Sequence, residues 1–128
     1  MALSHPDLTP LSNEIIRGAI TVHRELGPSL LESIYEECLA LELRDAGLKV
    51  ESQAAVPVVY KGRRLQVCYR PDLIVDRKII IEIKSVEKLI PVHSSQLLTY
   101  MRLTGIRVGL LFNFNSPVLA QAMKRLSL

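Results

Sequence analysis

The sequence predicts an α/β fold: a three-layer α/β/α sandwich around a mixed central sheet, with element order ααβββαβα. Three observations predict it. Two helical apolar periods come first in the chain, and three strand-like runs follow them. A further helical period then separates the run Ile79 to Lys84 from a last apolar run, Arg107 to Phe112. A helix between two such runs is a crossover, which sets the strands it joins parallel within an otherwise antiparallel sheet.

Each element has its own warrant. Residues 1–10, with Pro6 and Pro10, read as a loose leader, and residues 11–128 as one domain. From Asn13 to Leu26 the apolar residues Ile15, Ile16, Ala19, Ile20 and Val22 recur at helical spacing, and Gly27-Pro28 stops the helix. Leu30 to Ala46 is a second helix closed by Gly47. Val50 to Tyr60 reads as a strand, Lys61-Gly62-Arg63 as a turn, and Leu65 to Val75 as the next strand. Pro71 has no N–H to give a ladder, so that strand should bend or bulge beside Asp72. Asp76-Arg77-Lys78 is a polar interruption of hairpin type, and Ile79 to Lys84 follows it. Pro91 to Thr104 is a helix ending at Gly105, Arg107 to Phe112 an interior strand, and Ser116-Pro117 opens a short C-terminal helix.

Composition narrows the class. A chain of 128 residues, 48% hydrophobic, can bury a single core, which argues against disorder. No apolar run reaches the roughly 18–20 residues needed to span a bilayer. Met1 to Asp7 lacks the basic and apolar regions of a secretory signal, so a cytoplasmic protein with no membrane partner is expected. Cys38 and Cys68 have no metal-type spacing and read as buried free thiols. Net charge is +3 with pI near 9.0, which permits a phosphate-rich partner. Aromatic residues are only 5%, with no Trp, which speaks against a stacking platform for single-stranded bases.

The chemistry concentrates in one hairpin. Ile79-Ile80-Ile81-Glu82-Ile83-Lys84 is apolar enough for a strand covered on both faces, yet carries two charges. Side chains alternate, so Ile80, Glu82 and Lys84 share one side. An unpaired buried charge costs roughly several kcal/mol, so such groups pair, neutralise or bind an ion. With a three-residue loop, Val75 pairs Ile79 and Asp72 stands directly opposite Glu82. Facing residues have Cβ atoms about 4.5–5.5 Å apart, where like charges repel. A two-residue loop would throw the carboxylates onto opposite faces. Given the odd loop, something positive belongs between the acids, and a hard divalent cation with oxygen ligands fits. Lys84, one step along the same face, could stabilise developing negative charge or help activate water.

Pro71-Asp72 followed by Glu82-x-Lys84 on the next strand resembles the signature of the PD-(D/E)xK nuclease superfamily. Gly27-Pro28-Ser29-Leu30-Leu31-Glu32-Ser33-Ile34-Tyr35 is similar to the motif of its small GxxExxY branch, with Ser29 where the motif has glycine. His93 to Tyr100 contains a Gln96-x-x-x-Tyr100 pair like that of RecB-like nucleases. The resemblance runs from about Leu11 to Leu126 and implies a restriction-endonuclease-like core. It also implies metal ligation by Asp72, Glu82 and the Ile83 carbonyl, with Lys84 assisting catalysis. The ion would be Mg2+ or Mn2+, and the partner nucleic acid, DNA ahead of RNA.

Other motif residues carry two readings each. Ser29-Leu30-Leu31-Glu32 is also a capping box, with Ser29 as cap and Glu32 reaching back to its N–H. The residues leave that reading level with metal ligation, and the resemblance tips Glu32 toward ligand. Tyr35 reads as a packing residue. Gln96 and Tyr100 lie at i and i+4 on one helix face. By itself the pattern is an amphipathic helix with Leu97, Leu98, Met101 and Leu103 inward and Gln96 solvated. The resemblance assigns Gln96 to the reacting water or phosphate and Tyr100 to substrate binding. His93 reads as a surface or capping residue.

The leading expectation is a divalent-metal-dependent phosphodiesterase acting on nucleic acid. A second is a non-catalytic binding or regulatory module that keeps the fold, working with a partner chain or as a homo-oligomer. A third is a structural Glu82–Lys84 ion pair with no metal.

Overall fold

The structure is a computed structural model that describes residues 7–128. Helix α1 (Thr9–Leu26) begins four residues before Asn13, and Pro10 lies in its first turn, where a missing N–H is harmless. Most of the expected leader, residues 1–6, lies outside the described residues. Helix α2 (Glu32–Asp45) follows, then strands β1 (Val50–Ser52), β2 (Val56–Tyr60), β3 (Arg63–Tyr69), β4 (Leu73–Val75) and β5 (Ile79–Lys84). Helix α3 (Pro91–Thr104), strand β6 (Val108–Asn113), a 3-10 turn (Leu119–Gln121) and strand β7 (Met123–Ser127) complete the chain.

The main sheet has five strands in the order β1-β4-β5-β6-β7. Strands β5 and β6 run parallel through the α3 crossover, and every other pair in the sheet is antiparallel. Alternation along β5 sorts its isoleucines onto two cores. Ile79, Ile81 and Ile83 join Ile15, Tyr35 and Leu39 of α1 and α2 on one face. Ile80 joins Leu97 and Met101 of α3 on the other. Helices therefore cover both faces of a mixed sheet, as the sequence predicts. The α3 layer approaches closely at Gly109, where a Cβ would stand 2.8 Å from both Leu97 Cδ1 and Met101 Sδ.

The element order is corrected to ααβββββαββ. The Val50–Tyr60 run breaks at Gln53, whose φ of 53° leaves the extended region. The Leu65–Val75 run breaks at Arg70-Pro71-Asp72, and the break changes sheets: β2 and β3 form a separate two-stranded hairpin. The short C-terminal helix does not form. Its place is taken by the 3-10 turn and β7, because β6 lies inside the sheet and its free edge needs a partner for its N–H and C=O groups. Cys68 is exposed, since β3 is exposed along its whole length, and Cys38 is half-buried. Among the described residues, no helix is long and apolar enough to cross a membrane.

Candidate active site

The site is built by the β4–β5 hairpin and its register. Asp76 and Arg77 both take positive φ (51° and 55°), and Asp76 accepts a hydrogen bond from Lys49 N–H at 2.9 Å, which anchors the turn. The loop is therefore three residues long, and Val75 pairs Ile79, Ile74 pairs Ile80, and Leu73 pairs Ile81. The next position brings Asp72 to Glu82. Here side chains take over from the backbone ladder. Asp72 N–H donates to Glu82 Oε1 (3.1 Å), and Ile83 N–H donates to Asp72 Oδ2 (2.7 Å).

Glu82 is only 4% exposed, on the face shared with Ile80. Burial pushes its carboxyl up to about 8, and the neighbouring Asp72 charge adds to the effect while Lys84 opposes it. Lys84 is half-buried, and among the described residues the only ion pair within 4 Å joins Arg77 to Glu51. The structural Glu82–Lys84 pair therefore does not form at contact distance.

A cleft of about 310 Å³ opens beside Asp72, lined also by Glu32, Ser33, Glu36 and Gln53. Gln53 organises this side. Its Nε2 donates to Glu36 Oε1 (2.5 Å) and Asp72 Oδ1 (3.1 Å), and its N–H donates to the Asp72 carbonyl (3.0 Å). Burial raises the Glu36 pKa, the Gln53 hydrogen bond opposes that rise, and the Asp72 and Glu32 charges reinforce it. Neither Glu36 nor Gln53 was expected from sequence. Glu36 had a signal, since it lies at i+4 from Glu32 and hence on the same helix face.

Glu32 accepts a hydrogen bond from Ser85 N–H (3.0 Å), directly after Lys84, while Ser85 Oγ donates to the Leu30 carbonyl (2.7 Å). The capping box is overturned. Leu31 occupies the N-cap, and Ser29 adopts φ 75° and donates to Asn115 Oδ1 (3.2 Å). That left-handed conformation is one glycine takes freely, so the motif's glycine position has a backbone reason. Tyr35 is buried and stacks on Phe114 at 4.6 Å, with its hydroxyl donating to the Gly27 carbonyl.

On the α3 side, Gln96 and Tyr100 share a shallow cleft with Tyr69, Ser95 and Thr99. Tyr100 meets Tyr69 edge-on at 5.5 Å. Burial raises its hydroxyl pKa, and the charges of Glu82, Asp72 and Tyr69 add to the rise. Gln96 is exposed, and the hydrogen bonds of the acids run to Gln53, Ile83 and one another. His93 caps α3, its Nδ1 accepting from Ile90 N–H at 3.0 Å.

Two facing carboxylates on a parallel–antiparallel junction, flanked by a lysine and covered by a crossover helix, define a nuclease-type α/β core. The chain belongs to the PD-(D/E)XK nuclease superfamily, whose family profile matches residues 9–126. Among solved structures it is similar to the one titled "Crystal structure of SSO0001", with TM-score 0.56 and 17% identity; the match covers 94% of this chain and 59% of that one. The likeness concerns the fold, and this chain spans about three-fifths of that protein's length. No curated protein matches the sequence.

Among the described residues, no three His, Cys, Asp or Glu side chains form a ready-made metal cage. The donor set nevertheless fits a hard divalent cation. Asp72 and Glu82 present carboxylate oxygen atoms from neighbouring strands at a partly buried position, and a bound cation would offset the burial and the Asp72 charge that keep Glu82 protonated.

Proposed function

We propose that this protein is a divalent-metal-dependent nuclease of the GxxExxY branch that hydrolyses DNA. The observation carrying the proposal is the pairing of Asp72 with the end of β5, where Asp72 N–H donates to Glu82 and Ile83 N–H donates to Asp72, with Lys84 one step further along the same strand face as Glu82. Asp72, Glu82, Glu32 and the Ile83 carbonyl would hold Mg2+ or Mn2+. When bound, such an ion supplies an activated water and charge neutralisation at phosphorus.

The chain's own groups do the rest. Lys84 holds the attacking water and stabilises negative charge as it develops on the phosphate. Gln96, from the α3 wall, orients the water or a phosphate oxygen, and Tyr100 contacts the substrate beside it. Two free thiols, one of them exposed, suit a reducing compartment such as the cytoplasm.

The test is cleavage of single- and double-stranded DNA and RNA with magnesium or manganese, comparing wild type with Lys84→Ala and Glu82→Ala. Wild type should cut DNA, and each substitution should reduce the rate at least about a hundredfold. Activity that survives both substitutions refutes the assignment. Ion binding by calorimetry with no hydrolysis of any substrate would instead make the protein a binding module on a nuclease fold.

A further inference from the structure

We infer that the β2–β3 hairpin is an arm that docks duplex DNA through its major groove and delivers it to the acids. The inference rests on the nuclease reading for its partner but on different residues for its support. From Gln53 to Pro71 the chain carries Lys61, Arg63, Arg64 and Arg70 and no acidic residue, more positive charge than the net +3 of the entire chain. Three of these cations cluster at one tip. Lys61 and Gly62 both have positive φ (48° and 76°), and Tyr60 pairs Arg63, so a two-residue turn projects the cluster outward.

Beyond its root, where Val56 is buried, the arm is uncovered. It forms its own two-stranded sheet, and Val59, Tyr60 and Val67 are 58%, 60% and 62% exposed. An isolated hairpin is marginal in water, so this one relies on its root. There, Tyr69 packs edge-on against Tyr100, and Arg70 Nη1 donates to the carbonyl of Gln53 (3.2 Å), the residue that also bonds Asp72. At about 3.3 Å per residue, the seven residues of β3 extend the arm roughly 20 Å from the acids.

Charge complementarity selects a polyphosphate, and shape selects its form. A two-stranded ribbon fits the B-form major groove, about 12 Å wide, with apolar side chains against bases and cations against phosphates. The A-form major groove of duplex RNA is too deep and narrow for it. A single strand would want a row of aromatic side chains, whereas the two arm tyrosines stand at opposite ends, and Tyr69 is engaged by Tyr100.

The test is binding of labelled DNA duplex, RNA duplex and single-stranded DNA, measured by fluorescence anisotropy. It is run in the Lys84→Ala background so that nothing is cleaved. The arm variant is Lys61→Asn with Arg63→Gln and Arg64→Gln, chosen because Asn suits the turn and Gln keeps side-chain length. The control is Lys124→Gln with Arg125→Gln, which removes exposed charge from β7 instead. Each phosphate contact should contribute roughly fivefold at 0.15 M salt, so the arm variant should bind duplex DNA about a hundredfold more weakly. Its salt dependence should flatten by about 0.9 per lost contact. Circular dichroism and melting should match wild type.

Equal weakening by the control, equal affinity for duplex RNA, or tighter binding of single strands would each overturn the inference. A dimer in sedimentation that the arm variant dissolves would also overturn it, giving the arm to a second copy. If the protein with Lys84 intact cleaves no substrate while arm-dependent binding remains, the nuclease reading fails alone. If the arm variant, with Lys84 intact, binds and cuts normally, the arm inference fails alone.

Discussion

Glu82→Gln should change how stability depends on pH. In the folded protein without divalent ions, burial and Asp72 place the Glu82 carboxyl near 8, against 4.5 for the free group. Between those values the folded state holds a proton that the unfolded state has lost, so stability falls as pH rises through this window. Each pH unit is worth about 1.4 kcal/mol, which sets a ceiling of about 5 kcal/mol on the loss from pH 4.5 to 8. Water entry and side-chain rotation reduce the loss, and about 2–3 kcal/mol is expected. Urea denaturation in EDTA at pH 5 and pH 8 measures it. Wild type should lose that stability between the two, while Glu82→Gln should stay nearly level, retaining the acceptor for Asp72 N–H. Parallel curves for the two proteins would refute the claim that Glu82 is a buried acid opposed by a neighbouring carboxylate.

Gln53→Ala should weaken manganese binding about tenfold by calorimetry, because it frees Asp72 Oδ1 from its donor and leaves Glu36 to repel it; unchanged affinity would remove Gln53 from the site. Ser29→Gly should stabilise the fold by about 0.5–1 kcal/mol in denaturant melts, since φ 75° strains a serine. A loss of stability would mean that the Asn115 hydrogen bond outweighs the strain. Gly109→Ala should destabilise by about 1–3 kcal/mol, because the new methyl collides with Leu97 and Met101; a neutral result would show that α3 can move off the sheet.

The hairpin was legible because two local patterns agree on it. The isoleucine run marks the strand and the three-residue polar loop pairs Val75 with Ile79, and counting back from that pair sets Asp72 against Glu82. Pro71 announced a bend, but nothing local says that the chain leaves one sheet for another there; the separation depends on α3 filling the space beside Tyr69. Strand β7 was hidden for a similar reason. Ser116-Pro117 does resemble a helix start, yet the demand of β6 for an edge partner is non-local and prevails. Glu36 was readable at i+4 from Glu32. Gln53 was not, since its role comes from a left-handed backbone and two partners distant in sequence.

Where the β4–β5 ladder stops, the two acids fasten the strands together with their own oxygens. The residues proposed for chemistry are thus also stitches in the fabric. A descendant with no substrate left to cut would still be held to both by the need to keep its sheet from fraying, and would discard Lys84, which makes no such stitch, long before Asp72.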